Sequence, residues 1–368
     1  MRSVIIAGIL VLLLGPCAQA WAATAEDVAK LRTQATASFN EGQRRAGSAA
    51  MREALNAAEA LWGKTDARTD EIAYDLARMY TAVNDPRAVE IYERLECSLA
   101  ERNPDDPRLA IVHYGIAESL MNRGPHRSLE EFDTALKLMK AQGFDTKEHA
   151  NELYIRALYQ SAFVHLATFD VQEARKLYSR AIAKSKALFG NDSTPHAEAL
   201  FAQAQYSVST GEGHRGAREY EQALAIMRKH LPEDDPHVLR IHASLVSVYE
   251  SLKESDKATD HLMILAEKTP DKDGALVPFY KVVAQYPLAA RANGEEGSVV
   301  LKFRVTTDGH VDDISVIKGE AGSPLVGAAI KAVKQWRYKP RFVDGKPVAT
   351  DTTTQITFQL TDKTPTKR

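Results

Sequence analysis

The sequence has few cysteines, little net charge and no long hydrophobic run. It contains 2 cysteines among 368 residues, too few for a disulfide-stapled scaffold or a zinc site built from four thiolates. The formal net charge is −2, so the strong positive charge typical of nucleic-acid-binding proteins is absent. The apolar run at residues 4–14 is shorter than the roughly 20 residues that a membrane-spanning helix needs. We therefore expect a globular protein that does not bind nucleic acid.

The motifs of the common enzyme classes are also missing. The sequence contains no phosphate-binding loop, no HExxH, no nucleophile elbow and no CxxC. Its 11 histidines are scattered, so structural or surface roles explain them better than metal ligation. These observations predict a protein that is not an enzyme and that has no catalytic residue, cofactor or metal site.

The N-terminus has the organisation of an export signal. Arg2 precedes the apolar run, and two small-x-small sites follow at residues 18–20 and 20–22. This pattern predicts a cleaved signal peptide at residues 1–22 and therefore an exported protein. Two alternatives remain open: an uncleaved N-terminal membrane anchor, and lipidation at Cys17.

Residues 23–268 have a helical composition and a repeated pattern. A small residue, an aromatic four positions later and a small residue or Leu seven positions later recur every 40–46 residues. Positions i, i+4 and i+7 lie on one face of a helix. Each such helix follows another with its own apolar face, so the sequence predicts five stacked helix pairs, preceded by one or two capping helices. The aromatic residues predicted to be buried in this array are Tyr92, Phe132, Tyr178 and Tyr220. Cys97 lies in one of these helices, where we expect a buried thiol.

The pattern changes after residue 268. Alternating apolar residues predict strands at residues 298–305, 311–318 and 352–360, and an apolar stripe predicts a helix at residues 324–337. The predicted fold is an α-helical solenoid followed by a small α+β domain, in which one helix packs on a three-stranded antiparallel sheet. The predicted boundaries are a signal peptide at 1–22, the repeats at 23–268, a linker at 269–278, the α+β domain at 279–361 and a polar tail at 362–368.

The helical repeats resemble the tetratricopeptide (TPR) family in its form with about 42 residues per repeat. Pro195-His196 and Pro236-His237 before first helices, and the sequence ARKLYSRAI at residues 174–182, carry the resemblance. The family implies that the array binds a protein or peptide along its concave face. A helical spacer without a ligand is the alternative.

The last part of the chain resembles the C-terminal domain of TonB-family proteins. Gln285-Tyr286-Pro287 is similar to the family's entry motif, and Glu296-Gly297 resembles the start of its first strand. Asp308-Gly309 is similar to its hairpin turn, and Trp336-Arg337-Tyr338 with Pro340 to the exit of its helix. The structural residues that we single out in this domain are Gly297, Gly309, Trp336 and Pro340.

The TonB resemblance implies a function in the bacterial envelope. In that family the domain binds a short segment of an outer-membrane receptor, which adds as a strand at the sheet edge, while the other end of the protein takes energy from a proton-driven motor. Here a short apolar run and a helical array replace the family's anchor and its Pro-rich spacer. The residues predicted to bind the partner are Gln285, Tyr286, Pro287, Thr353, Gln355, Thr357 and Gln359.

The sequence therefore predicts a periplasmic protein-binding protein with a transport or scaffolding role. Its expected partners are envelope proteins, namely an outer-membrane receptor segment on the α+β domain and a second protein or peptide on the TPR face. Membrane association is expected only through partners or an uncleaved N-terminus. Two alternatives are an energy transducer anchored in the inner membrane and a structural envelope protein without a transport role.

Overall fold

The computed structural model describes residues 24–268, 276, 278–320, 322–343 and 346–360. The predicted signal peptide, most of the predicted linker and the polar tail lie outside the described residues. The chain divides into two compact units. The first contains the described residues up to Phe144 together with Val164–Asp170, and the second contains Asp145–Phe163 and the described residues from Val171 onward.

The first unit consists of paired helices, and short polar side chains cap the starts of the first and the third. Thr24 and Asp27 form a reciprocal capping box at the first helix, and the Asp66 carboxylate accepts from the Arg68 N–H at the third. The bounds are α1 Ala25–Asn40, α2 Arg44–Trp62, α3 Ala67–Ala82, α4 Arg87–Arg102, α5 Arg108–Leu120 and α6 Pro125–Ala141.

The second unit continues the helix pairs. Asp235 caps the helix that begins at Pro236 by accepting from the His237 N–H at 2.8 Å. The helix α7, Glu152–Ala167, is divided between the two units. The other helices of the array are α8 Val171–Phe189, α9 Thr194–Ser209, α10 Gly213–His230, α11 Pro236–Ser251 and α12 Ser255–Lys268.

Every member of the repeated pattern is buried in the second helix of its pair. Each of the four aromatic members also contacts an aromatic ring of a neighbouring first helix. The ring pairs are Tyr92 with Tyr74, Phe132 with Tyr114, Tyr178 with Tyr206 and Tyr220 with Phe201, at centroid distances of 5.2–6.3 Å. The predicted TPR-like helix pairs are therefore confirmed.

One prediction for the array is wrong. Cys97 is exposed, whereas a buried thiol was expected. The core face of α4 is defined by Tyr92, Leu95 and Leu99, and Cys97 lies two positions after Leu95 on the opposite side of the helix.

The C-terminal part of the second unit is the predicted α+β domain. Three strands form an antiparallel sheet, with residues 297–305 in the centre between residues 311–318 and residues 350–358, and the helix at residues 324–333 packs against it. The inward side chains of the central strand are Val299, Leu301, Phe303 and Val305, all at most 2% exposed. The predicted fold class is confirmed. The bounds are β2 Gly297–Val305, β3 Val311–Lys318, α14 Pro324–Val333 and β7 Thr350–Phe358.

The structure adds short elements that sequence patterns did not predict. A strand pair joins the entry of the domain to the residues after α14, and a small hairpin precedes β7. Their bounds are β1 Pro278–Tyr280, α13 Leu288–Ala292, β4 Arg337–Tyr338, β5 Arg341–Val343 and β6 Lys346–Val348.

Two predicted boundaries are corrected. The helix predicted to reach Arg337 ends at Val333, because the Gln335 and Trp336 N–H groups bond to carbonyls three residues back and the chain then enters β4. The last strand begins and ends two residues earlier than predicted, at Thr350 and Phe358. In the described part of the chain, no helix is long and apolar enough to cross a membrane.

Candidate partner-binding edge

The strand β7 lies at one border of the three-stranded sheet. It pairs with β2 over nine consecutive positions, from Gly297 opposite Phe358 to Val305 opposite Thr350, without a break in register. No strand among the described residues pairs with its other side. Successive residues of a strand direct their N–H groups to opposite sides, so alternate main-chain groups of β7 point away from β2. This border is a regular template onto which another extended chain can add.

The opposite border of the sheet, β3, is less suited to pairing. Its register with β2 shifts between Val300 and Leu301 and again between Lys302 and Arg304. Asp313, in the middle of β3, has a φ of 49°, which takes that residue out of extended geometry. Bulges of this kind twist a sheet edge away from further strands. The two borders therefore differ, and β7 is the regular one.

Polar side chains of β7 form a network on the face that points away from the core. The Ser298 and Thr357 hydroxyl oxygens are 3.0 Å apart, and the Gln355 amide donates to the Ser298 hydroxyl at 3.2 Å. Further along, Arg304 donates to the Asp351 carboxylate, and this bond lowers the pKa of Asp351. This side of the strand thus offers hydroxyl and amide groups to a neighbour.

The residues predicted to bind the partner fall into two groups. Thr353, Gln355 and Thr357 are exposed on the same face of β7, and Gln359 is exposed just after the strand ends. The other group, residues 285–287, comprises an exposed Gln and a half-buried Tyr and Pro before α13. The structure gives their positions, and their contact with a partner remains a prediction.

Tyr286 brings the two groups together. Its ring meets the ring of Phe358, the last residue of β7, edge to face at a centroid distance of 5.5 Å. Its hydroxyl donates to the carbonyl of Glu295, and burial raises the pKa of this phenol. The entry segment therefore lies beside the C-terminal end of the open strand.

A cleft of about 600 Å³ separates the entry segment from α14. Gln285, Tyr286 and Pro287 line one wall, and Lys331 is among the residues of the other. Sequence reasoning missed Val283 and Leu288, which also line the cleft and are each 84% exposed. Apolar side chains exposed beside a cleft are typical of binding surfaces, but the local pattern did not separate them from core residues.

The structural residues of the domain occupy turns and the core. Trp336 is buried, and its indole N–H donates to the Val282 carbonyl at 2.8 Å, while Pro340 is buried further along the chain. Gly309 has a φ of 83° in the turn between β2 and β3. Gly297 begins β2, and a Cβ there would lie 3.9 Å from the Leu325 Cδ1, so close packing does not require a glycine at this position.

Side chains that could bind a metal ion were compared across the part of the chain that the structure describes. Within residues 24–268 and the described C-terminal residues, no group of three or more His, Cys, Asp or Glu side chains is arranged to hold a metal ion.

Comparison with known proteins agrees with this geometry. Residues 283–360 match the family model described as the C-terminal domain of the Gram-negative bacterial TonB protein. This part of the chain is a TonB C-terminal domain. The match covers the entry segment, the cleft and all three strands of the sheet, and it confirms the resemblance inferred from the sequence.

Individual relatives match the same region. Protein TonB of Pseudomonas aeruginosa is 36% identical over 75 residues, which are 20% of this chain and 22% of that protein. The solution structure of the Pseudomonas aeruginosa TonB C-terminal domain is 33% identical, with 25% of this chain and 92% of that chain covered and a TM-score of 0.22. The chain spans between about a fifth and a third of the length of the curated TonB relatives that it matches.

The helical region also has counterparts among solved structures. One of them is the crystal structure described as the nearly identical TPR-like repeats of a Podosopora anserina putative kinesin light chain. It is 19% identical in sequence to this chain, with 54% of this chain and 93% of that chain covered and a TM-score of 0.43.

Proposed function

We propose that this protein acts in the bacterial envelope, where its TonB C-terminal domain binds an extended segment of a partner protein by strand addition on β7. The observation that carries the proposal is the open, unbroken border of β7, which pairs over nine positions on one side only. Main-chain hydrogen bonds supply most of the affinity in this mode of recognition. The domain match supports a role in envelope transport, with an outer-membrane receptor segment as the expected ligand.

Side chains beside the strand would determine which segment binds. An added strand places alternate side chains next to Thr353, Gln355 and Thr357, which favour a polar neighbour through their hydroxyl and amide groups. Where the added strand passes the end of β7, it reaches Tyr286 and the cleft beside α14. We expect a segment with polar residues along the strand and an apolar residue at the cleft, facing Val283 and Leu288.

The helical array is proposed to bind a second protein or peptide. A groove of about 780 Å³ in the first unit is lined by α1, α3 and the end of α2. Its walls carry the Arg32 guanidinium, which pairs with the Glu71 and Asp75 carboxylates, and the Trp62 ring, over which the Arg68 guanidinium lies at 4.4 Å. Paired charges and a half-buried aromatic ring suit a polar peptide with few large apolar side chains.

Export is proposed from the N-terminal pattern. N-terminal sequencing of the mature protein should find a chain that begins after Ala20 or Ala22. Membrane-bound protein with an intact Met1 would favour the anchored energy transducer instead.

Photo-crosslinking in the native envelope tests the proposed binding edge. A photoreactive residue at Gln355 on β7 is compared with one at Val316 on β3, which is also exposed but lies on the bulged border. We expect one defined protein to crosslink from Gln355 and not from Val316, and its crosslinked peptide to come from a segment with no helical structure. Equal yields from both positions, or a product from Val316 alone, would contradict binding at β7.

A further inference from the structure

The last helix pair of the array ends in an apolar surface that the C-terminal domain covers. Val246 on α11 and Leu262 and Leu265 on α12 form a buried cluster, and Phe279 of β1 packs against it. Repeat arrays need a terminal element that hides the apolar face of the last repeat from water. Among the described residues the stacked helix pairs of the array end with α11 and α12, and β1 and β5 of the C-terminal domain contact these two helices.

A buried arginine joins the domain to the same helix pair. Arg337 of β4 is 1% exposed, and its Nε donates to the Glu250 Oε1 on α11 at 2.5 Å. Its Nη2 donates to the Thr259 Oγ1 at 2.6 Å and to the Ser255 carbonyl at 3.2 Å, both on α12. A buried guanidinium that loses its partners carries a large desolvation cost, so these bonds strongly favour a single docked arrangement.

The hairpin turn between β2 and β3 also lies against α12. A Cβ at Gly309 would be 2.6 Å from the Leu262 Cδ2 and 2.3 Å from the Tyr338 carbonyl oxygen. The Tyr338 N–H in turn donates to the Gly309 carbonyl at 2.9 Å. Only a glycine lets the turn approach both neighbours this closely, so the contact depends on a specific fit as well as on apolar burial.

We infer that the C-terminal domain is the structural cap of the helical array, and that Arg337 fixes it to α11 and α12 as one rigid joint. The joint gives the β7 edge a set direction relative to the last helix pair. This inference goes beyond partner binding and does not depend on which segment β7 binds.

Distance measurement between two spin labels tests the joint in the full mature chain. One label replaces the exposed Ser247 on α11 and the other the exposed Thr353 on β7, in a background in which the exposed Cys97 is changed to Ser. A rigid joint predicts a single narrow distance distribution. A broad distribution in this otherwise unaltered chain would overturn the inference.

Substitutions at the joint identify what fixes it. Arg337→Gln and, separately, Glu250→Gln should each cause loss of the narrow peak, with circular dichroism used to confirm retained helix and strand content. Lys334→Gln is the matched control. Lys334, Arg337 and Glu250 all line one cleft of about 350 Å³, but the Lys334 side chain is exposed whereas Arg337 is buried. A narrow peak that survives both Arg337→Gln and Glu250→Gln would show that the ion pair does not fix the joint.

Discussion

Replacing Gly115 by alanine is expected to destabilise the first unit, although the same change stabilises most helices. Gly115 lies inside α5, where an alanine would ordinarily gain about 1 kcal/mol over glycine. Here a Cβ would be 2.4 Å from the Cζ of the Tyr92 ring, which is itself 2% exposed. Overpacking a buried site costs about 1–3 kcal/mol, and so close a clash belongs at the upper end of that range. We predict a net loss of about 1–2 kcal/mol.

Gly327 supplies the matched control for this prediction. It lies inside α14, and a Cβ there would have no atom within 4 Å, so Gly327→Ala should gain up to about 1 kcal/mol. Hydrogen exchange in the full chain measures both effects locally, in α4 and α5 for the first variant and in α14 for the second.

Opposite signs at the two glycines are the result that the packing argument requires. In a Tyr92→Ala background the clash is gone, so Gly115→Ala should then become favourable, a non-additivity that a double-mutant cycle detects. If Gly115→Ala, in a chain that keeps Tyr92, instead increases the amide protection of α4 and α5, the close contact between the Tyr92 ring and Gly115 is wrong.

Three further changes test other parts of the account. Tyr178→Ala should cost about 3–5 kcal/mol, because the ring is buried against Tyr206, and hydrogen exchange should place the damage in the adjacent repeats. Burial lowers the pKa of His242 to about 4, from an ordinary value near 6.5, so the folded protein favours the neutral imidazole. The stability that this preference contributes is fully present above about pH 6.5 and is lost as the pH falls toward 4. Between pH 7.5 and 5.5 the chain should lose about 1 kcal/mol through this group, and His242→Gln should reduce that slope in pH-dependent unfolding. Thr354 and Gln355 are neighbours on β7, so one of them directs its N–H group to the open border and the other to β2. Proline at the position with the outward N–H should abolish partner binding in a folded protein, whereas alanine at that position should retain binding.

Local patterns predicted the elements that depend on local periodicity. The helix pairs followed from an aromatic residue at a fixed spacing, as with Tyr178 and Tyr220, because a helix face is set by residues three and four apart. The strand β2 followed from the alternation that begins after Gly297, and its turn from Gly309. These features are encoded within a few neighbouring residues.

Features that depend on distant residues were not predictable in this way. Arg337 and Glu250 lie 87 positions apart, and nothing near either residue indicates that the two are buried together. The two-residue strand β4 is too short to show alternation and exists because β1 pairs with it. The exposure of Cys97 could, by contrast, have been predicted, because the repeated pattern that includes Tyr92 fixes the buried face of α4 and position 97 lies off that face. The position of β7 at the border of the sheet is likewise a property of the topology and not of its own sequence.

Amide protection along β7 tests the central claim most directly. Hydrogen exchange of Thr350–Phe358 is measured by NMR in the free chain and with the segment identified by crosslinking from Gln355. Strand addition predicts that every second amide of β7 gains protection on binding, because only alternate N–H groups face the open border, while β3 is unchanged. Binding without alternate protection on β7, or protection gained on β3, would contradict the account.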